Sequence, residues 1–245
     1  MEKPISDNNN GLDVLVQTAE TKNIPVMLGF MMRYHPCVIR LKKYIDENIL
    51  GRIYNIIVNV NSFMPAWHQY EGCNEFYAGR KDLGGGVILT EIHEIDLLHS
   101  LFGMPKKLAA CGGIRSMLNI DVEDTASVLM DFEKDDQQFS ATINMCFVQR
   151  TPLREFRVLG ENGSIVWDIA SNTIALSDYV HDNFQKYKFD SFNRNDMFRD
   201  QLIHFIECIE KGLVPKTNLT RTIGSHIIAM KIKEALQTNN FVSIT

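Results

Sequence analysis

The chain is predicted to be an α+β protein, with a large, mainly antiparallel sheet carrying helices on one face. A helix and strand of the kind that closes a doubly wound α/β domain are expected to precede it. Three observations carry the prediction. Apolar residues alternate with a period of two through most of the stretch from Arg52 to Tyr179. Helical periodicity replaces this pattern from Asp196 to Thr238, and strands followed by helices mark α+β rather than alternating α/β. Near the start, an almost unbroken apolar run, Ile24 to Phe30, follows a short amphipathic segment.

Taken in order, the chain opens on Met1-Glu2-Lys3-Pro4, and the Asp7-Asn8-Asn9-Asn10-Gly11 cluster is a turn that delivers a helix N-cap. Gly11 to Lys22 reads as a helix, with Leu12, Leu15, Val16 and Ala19 at i, i+3, i+4, i+7. Ile24 to Phe30, closed by Gly29 and Phe30, reads as a parallel strand buried on both faces. Strand end, helix and buried strand in this order form the closing unit of a doubly wound nucleotide-binding domain, whose Gly-rich phosphate turn belongs to its first strand-to-helix connection. Residues 1–32 are therefore expected to be a remnant of such a domain, and residues 33–245 a substrate-binding and oligomerisation domain. The strand at Ile24 to Phe30 would then be exposed, locally disordered or covered by another chain.

A helix is expected from Arg33 to Asn48, with Val38, Leu41, Ile45 and Ile49 along one face and Pro36 in its first turn. Arg52 to Phe63 alternates Tyr54, Ile56, Val58 and Val60 against Asn55, Asn59 and Asn61, the pattern of a long strand. Further strands are expected at Leu108 to Ile114, Thr125 to Phe132, Gln138 to Val148, Arg154 to Leu159, Ser164 to Ile169 and Thr173 to Tyr179, with Asn162-Gly163 as a hairpin signal. Helices from about Asp196 to Lys211 and Leu219 to Thr238 close the chain. On the strand from Gln138 to Val148, Phe139, Ala141, Ile143, Met145 and Phe147 form a core face. The opposite face, Ser140, Thr142, Asn144, Cys146 and Val148, is small and mixed, which suits a solvated sheet or one pressed against an identical sheet.

Composition narrows the function classes. A net charge of −5 argues against a nucleic-acid partner, because phosphate binding needs a concentrated positive field. Five scattered cysteines without a C-x-x-C pair argue against a disulfide framework or structural zinc. No apolar run approaches the length of a membrane span, so no membrane partner is expected and the cytoplasm is the expected location. His93-Glu94 begins like H-E-x-x-H, but Leu97 takes the second histidine's place, and no metal site is expected.

The segments EKPIS (2–6), VMLGFMMRYHP (26–36), LGGGVILTEIHEIDLLHSLFG (83–103), VEDTASVLMDF (122–132) and GENGSIVWD (160–168) stand in one order along the chain. In that order the chain resembles the Gfo/Idh/MocA family of NAD(P)-dependent sugar and inositol oxidoreductases, most of all members acting on sugars and sugar nucleotides. The resemblance implies NAD or NADP as cofactor of the full-length parent, with none expected to bind this chain alone, and a homo-oligomer formed through the sheet face. It implies that Glu2, Lys3 and Pro4 lie at the cofactor, with Lys3 beside the nicotinamide and the substrate hydroxyl. It also implies that His93 is the general base. A histidine suits that task because its ordinary pKa lies near neutrality.

The triple glycine Gly84-Gly85-Gly86 is expected to let the chain approach a ligand closely and turn into a helix bearing His93, Asp96, Leu97 and Ser100. Asp96 would orient the imidazole or cap a neighbouring segment. The family commonly places an aspartate three or four residues before this histidine. Here Thr90 and Leu89 hold those positions, and Glu91 is expected to point elsewhere. Thr90 offers a hydroxyl but no charge. A substrate rim is expected from Arg33 with Tyr34 and His35, from Trp67-His68-Gln69-Tyr70, and from Arg80-Lys81. Aromatic faces stack on sugar rings and arginines grip anions, which would suit a hexose carrying an anionic group, such as a nucleotide sugar. The alternative is a non-catalytic binding or assembly module derived from the family.

Overall fold

The structure, a computed structural model, describes residues 1–244. Alternation does what the sequence predicts: Ile53–Phe63 forms β1, and its Ile56, Val58 and Val60 are buried while Asn55, Asn59 and Asn61 are half-buried on the other face. The strands that follow are β2 (Lys107–Gly113), β3 (Thr125–Lys134), β4 (Gln137–Cys146), β5 (Val148–Gly160), β6 (Gly163–Asp168), β7 (Thr173–Asp178), β8 (Asn183–Lys188) and β9 (Val242–Ser243). They join one sheet in the order β8-β7-β6-β5-β1-β4-β3-β2-β9. Every named pairing is antiparallel except that of β1 with β4, at the centre, where Val58 lies opposite Ile143.

Two strands were not expected. β8 is an edge strand whose residues are largely exposed, so no alternation marks it, and β9 has only two residues. The β5–β6 hairpin forms, but its loop residues are Glu161 and Asn162, and Gly163 already pairs with Asp178. A Cβ at Gly163 would stand 2.2 Å from the Ser177 carbonyl oxygen, so glycine is required there by strand crowding rather than by turn conformation.

The helices are α1 (Leu12–Thr21), α2 (Pro36–Asp46), α3 (Val87–Thr90), α4 (Ile92–Phe102), α5 (Arg194–Lys211) and α6 (Leu219–Thr238). Pro36 occupies the first turn of α2, and the His35 ring accepts from the Cys37 amide at 3.1 Å as its N-cap, so the expected single helix from Arg33 is instead a short 3-10 turn, Met31–Tyr34, followed by α2. α2, α4 and α6 cover the apolar face of the sheet, where Phe156, Trp167, Ile143 and Ile228 are all buried. The face bearing Ser140, Thr142, Asn144 and Cys146 is half-buried.

The strand expected at Ile24 to Phe30 is reduced to a single antiparallel bridge, Met27 to Asn218. On its other side the Met1 ammonium donates to the Met27 carbonyl at 2.8 Å, and the Gly29 amide donates to the Met1 carbonyl at 2.9 Å. The run was expected to be exposed, locally disordered or covered by another chain; instead Leu28 and Phe30 are buried in this chain's own core, while Ile24 is 50% exposed.

All five thiols are free. Among the described residues no helix is long and apolar enough to cross a membrane, and no group of three or more His, Cys, Asp or Glu side chains is arranged to hold a metal ion.

Candidate active site

The site grows from a break in a helix. Gly86, at φ 107°, caps α3, which runs for only one turn before Glu91 leaves helical geometry at φ −95°, ψ 27° and α4 begins. At Gly85 and Gly86 the turn itself requires glycine. A Cβ at Gly85 would meet the carbonyl oxygens of Tyr77, Ala78 and Arg80 at 2.4–2.8 Å, and one at Gly86 would meet the Glu123 carboxylate at 2.3 Å. The break also overturns the expected direction of Glu91. In an unbroken helix it would lie off the His93 face, whereas the interruption sends its side chain into the buried cluster described below.

The interruption frees a carbonyl. The Glu94 amide turns to the Glu91 carbonyl at 3.3 Å, and the Thr90 carbonyl accepts instead from Lys3 Nζ at 2.7 Å, across 87 residues of sequence. Lys3 is thereby fixed three residues before His93. Around it stand Glu91 and Glu94, and opposite them Arg154 of β5, whose Nε and Nη2 donate to the two Glu94 oxygens at 2.6 and 3.0 Å. Arg154 Nη2 lies 3.9 Å from Glu91 Oε2. His93 is buried with its ring edge-on to Phe30 at 5.9 Å, and its Nδ1 has no hydrogen-bond partner; neither has the Thr90 hydroxyl. The side chain of Tyr77 reaches the same region, beside Thr90 and Glu91.

Burial and these charges set the protonation states. Burial pushes His93 well below the ordinary histidine range, and the cations Lys3, Arg154 and Arg194 push the same way. Burial lowers the Lys3 amine, opposed chiefly by Glu91 and then Glu94. Glu91 is raised by burial, while Arg154 pulls it down, Glu94 raises it further, and Lys3 pulls it down. Burial thus favours the neutral form of all three groups, the imidazole of His93, the amine of Lys3 and the carboxyl of Glu91.

Of the residues expected at the site, Lys3, Thr90 and His93 come together, with Glu2 nearby against Gly29 and Pro4 following Lys3. Arg33 and Asp96 do not join them. Asp96 accepts from Arg33 Nε and Nη2 at 2.7 and 2.6 Å and from the Ser225 hydroxyl at 2.8 Å, so it orients no imidazole; it locks the 3-10 turn and α4 to α6. The Arg33 fork is therefore occupied, which removes the expected bidentate grip on an anion. Tyr34 is buried against His204, its hydroxyl pushed up to about 12 by burial. Trp67 packs edge-on against Phe147 at 5.2 Å and His68 against Phe76 at 4.8 Å, forming a cluster that seats the loop before Tyr77. Arg80 is paired with Asp82 at the surface, and Lys81 is exposed. A cleft of about 580 Å3 lies elsewhere, between α1 and the α5–α6 connection, lined by Ile24, Val26, Ile209 and Leu213 among others.

Sequence reasoning missed Glu94, Arg154 and Tyr77 and misdirected Glu91. One signal was available: Glu91 and Glu94 stand, with Thr90, His93 and Asp96, among the large apolar residues from Val87 to Leu98, and charges so placed require a buried partner. Nothing in the sequence says that the partner is Arg154.

A helix-covered, predominantly antiparallel sheet, with Lys3, Glu91, His93 and Glu94 brought together at a broken helix on its covered face, defines an α+β domain. Residues 38–166 match the model of the GFO/IDH/MocA C-terminal domain, and the chain belongs to that family. Among curated relatives it is 24% identical over 183 residues to Oxidoreductase P35 of Formosa agariphila, covering 72% of this chain and 54% of the relative. The chain thus spans about half the length of that protein. Among solved structures, aldose-aldose oxidoreductase from Caulobacter crescentus complexed with glycerol superposes with a TM-score of 0.83 at 18% identity, covering 99% of this chain and 71% of that one. Levoglucosan dehydrogenase in complex with NADH and levoglucosan superposes with a TM-score of 0.85 at 18% identity, covering 99% and 72%. At these identities the likeness is one of fold.

Proposed function

We propose that this chain supplies the substrate-binding and proton-handling part of a nicotinamide-dependent oxidoreductase that interconverts a hydroxyl and a ketone on a sugar or related polyol. The observation that carries the proposal is the Lys3–Thr90 bond, which holds an amine beside a buried imidazole with an unpartnered nitrogen. Family membership and the NADH and levoglucosan named for one structural neighbour support the cofactor and substrate class. A substrate hydroxyl fits these residues, because the unsatisfied His93 Nδ1 and Thr90 hydroxyl are polar atoms that it would complete. When bound, the nicotinamide exchanges hydride with the substrate carbon. Lys3 and His93 hold the substrate oxygen, Lys3 from the amine and His93 as a neutral ring.

In this reading, residues 1–32 belong to a nucleotide-binding unit and residues 33–245 to the substrate-binding domain. The half-buried small face of β4 is the surface on which two copies meet. Both rim arginines are already paired with carboxylates and the cluster itself contains two glutamates, which favours a neutral sugar or polyol at the reacting end over one carrying an anionic group there. The test is a titration of the chain with a neutral hexose and with inositol, followed by the NMR shifts of the His93 ring and the Lys3 side chain. Both are expected to move together and saturably. Shifts confined to other residues, or none up to the solubility of the sugars, would refute the reading.

A further inference from the structure

We propose that Arg154 and Glu91 form a hydroxyl subsite beside the reacting end, so that the site recognises two adjacent hydroxyls of a neutral polyol, one at Lys3 and His93 and its neighbour between the guanidinium and the carboxylate. The inference rests on the reading above and deepens it by naming a vicinal diol as the feature recognised.

The guanidinium is fixed from behind. Arg154 Nε and Nη2 donate to the two oxygens of Glu94, a buried residue of α4, at 2.6 and 3.0 Å. That fork uses two of the five N–H donors of an arginine. Nη1 donates to no group of the chain among the described residues, and the Arg154 side chain stays 28% exposed, so donors remain for a ligand. Glu91 stands across from it. Its carboxylate is buried yet accepts no hydrogen bond among the described residues, and its Oε2 lies 3.9 Å from Arg154 Nη2, beyond a direct hydrogen bond. One oxygen bonded to both, at about 2.7–2.9 Å and with an angle between about 90° and the tetrahedral value, holds such a pair about 4–4.6 Å apart. The observed gap matches the lower end of that span. A hydroxyl suits it because it accepts from the guanidinium and donates to the carboxylate at once. An anion would meet the Glu91 charge there, and a cation the arginine.

Sequence adjacency joins this gap to the reacting end. Thr90, whose carbonyl holds Lys3 and whose buried hydroxyl lacks a partner, precedes Glu91; His93, whose buried Nδ1 also lacks one, precedes the Glu94 that anchors Arg154. Each wall of the gap is thus tied to a residue next to one of these orphaned atoms, and a buried polar atom without a partner calls for one. A small polyol can complete both sets with neighbouring oxygens.

The experiment compares two probes on the intact chain, cyclohexanol and the trans-cyclohexanediol whose hydroxyls sit on neighbouring carbons. NMR follows the His93 ring, the Arg154 Nε–H and the Glu91 carboxyl carbon in one titration. The diol should move all three with a single midpoint, and cyclohexanol should bind about tenfold more weakly and leave Arg154 and Glu91 still, because it lacks the hydroxyl that bonds to charged groups. In Glu91→Leu the diol should lose about tenfold and cyclohexanol less than about twofold, since deleting the carboxylate and deleting the hydroxyl remove the same contact. A role in packing alone would weaken both probes alike. Equal affinities for the two probes, with His93 responding and Arg154 and Glu91 silent, would mean that the gap holds water only; this overturns the subsite and leaves the functional reading standing. No shift at any of the three groups up to the solubility of the probes overturns both. If Glu91→Leu does not fold, the comparison of the two probes on the parent chain decides by itself.

Discussion

Replacing Arg33 by Met tests whether this arginine is a structural strut or a substrate grip. Met keeps most of the apolar stem and removes the guanidinium. The Asp96 side chain, 1% exposed, would then retain only the Ser225 hydroxyl as donor and would stand as a buried, unpaired charge. Breaking a buried ion pair by removing one partner costs about 3–5 kcal/mol. The Arg33 side chain is 14% exposed, so water can reach the vacated space and the lower end, about 3 kcal/mol, is expected. For a chain of this size that corresponds to a fall in Tm of roughly 6–12 °C. Urea unfolding followed by circular dichroism measures the loss directly. The double variant Arg33→Met/Asp96→Leu should recover much of it, because the orphaned charge is gone, and Arg33→Lys should lie between because it restores charge without the fork. A loss under about 1 kcal/mol in Arg33→Met would show that the pair contributes little and would return Arg33 to the list of residues free to meet a ligand.

Two further outcomes are expected. Burial lowers His35 from 6.5 to about 4, so the folded state binds this proton less readily than the unfolded chain; its effect on stability is nil above pH 6.5 and grows adverse as pH falls from 6.5 towards about 4. The slope, up to about 1.4 kcal/mol per pH unit, should flatten in His35→Gln in urea melts across that range, and an unchanged slope would contradict it. Gly86→Ala should destabilise by more than about 1 kcal/mol, because φ 107° is hostile to a Cβ that would also meet the Glu123 carboxylate; thermal melts would decide, and a neutral result would mean that the turn can relax.

The sheet was legible because burial is one-sided. β1 and β4 alternate so regularly that the buried face follows from the residues, and α6 begins and ends where its periodicity does. β8 was not legible because an exposed edge strand has no apolar face to betray it. The strand at Ile24 to Phe30 differs in the opposite way: its residues suit a strand, yet only Met27 forms a bridge, to Asn218. At the site, the motifs pointed to Lys3 and His93, which the structure brings to one place, and Glu91 was misdirected because helical spacing was carried through a break that propensity does not mark. Ile88, Leu89, Thr90, Glu91 and Ile92 include no Pro or Gly, and the interruption arises from tertiary contacts, with Lys3 on the Thr90 carbonyl and Arg154 beside Glu91.

The parallel pairing of β1 with β4 has a consequence for how such a site can change. Parallel neighbours need a long crossover, and here the chain leaves β1 at Phe63 and carries Trp67, Tyr77, Thr90, Glu91, His93 and Glu94 before it reaches β2 at Lys107. Nearly every side chain that could meet a substrate thus lies on one continuous excursion, anchored at both ends by strands whose register is set elsewhere, by β4, β5 and β3. Substitutions, insertions or deletions within 64–83 can reshape the approach to Lys3 without shifting one residue of the sheet, so selectivity can diverge quickly on a scaffold that stays the same.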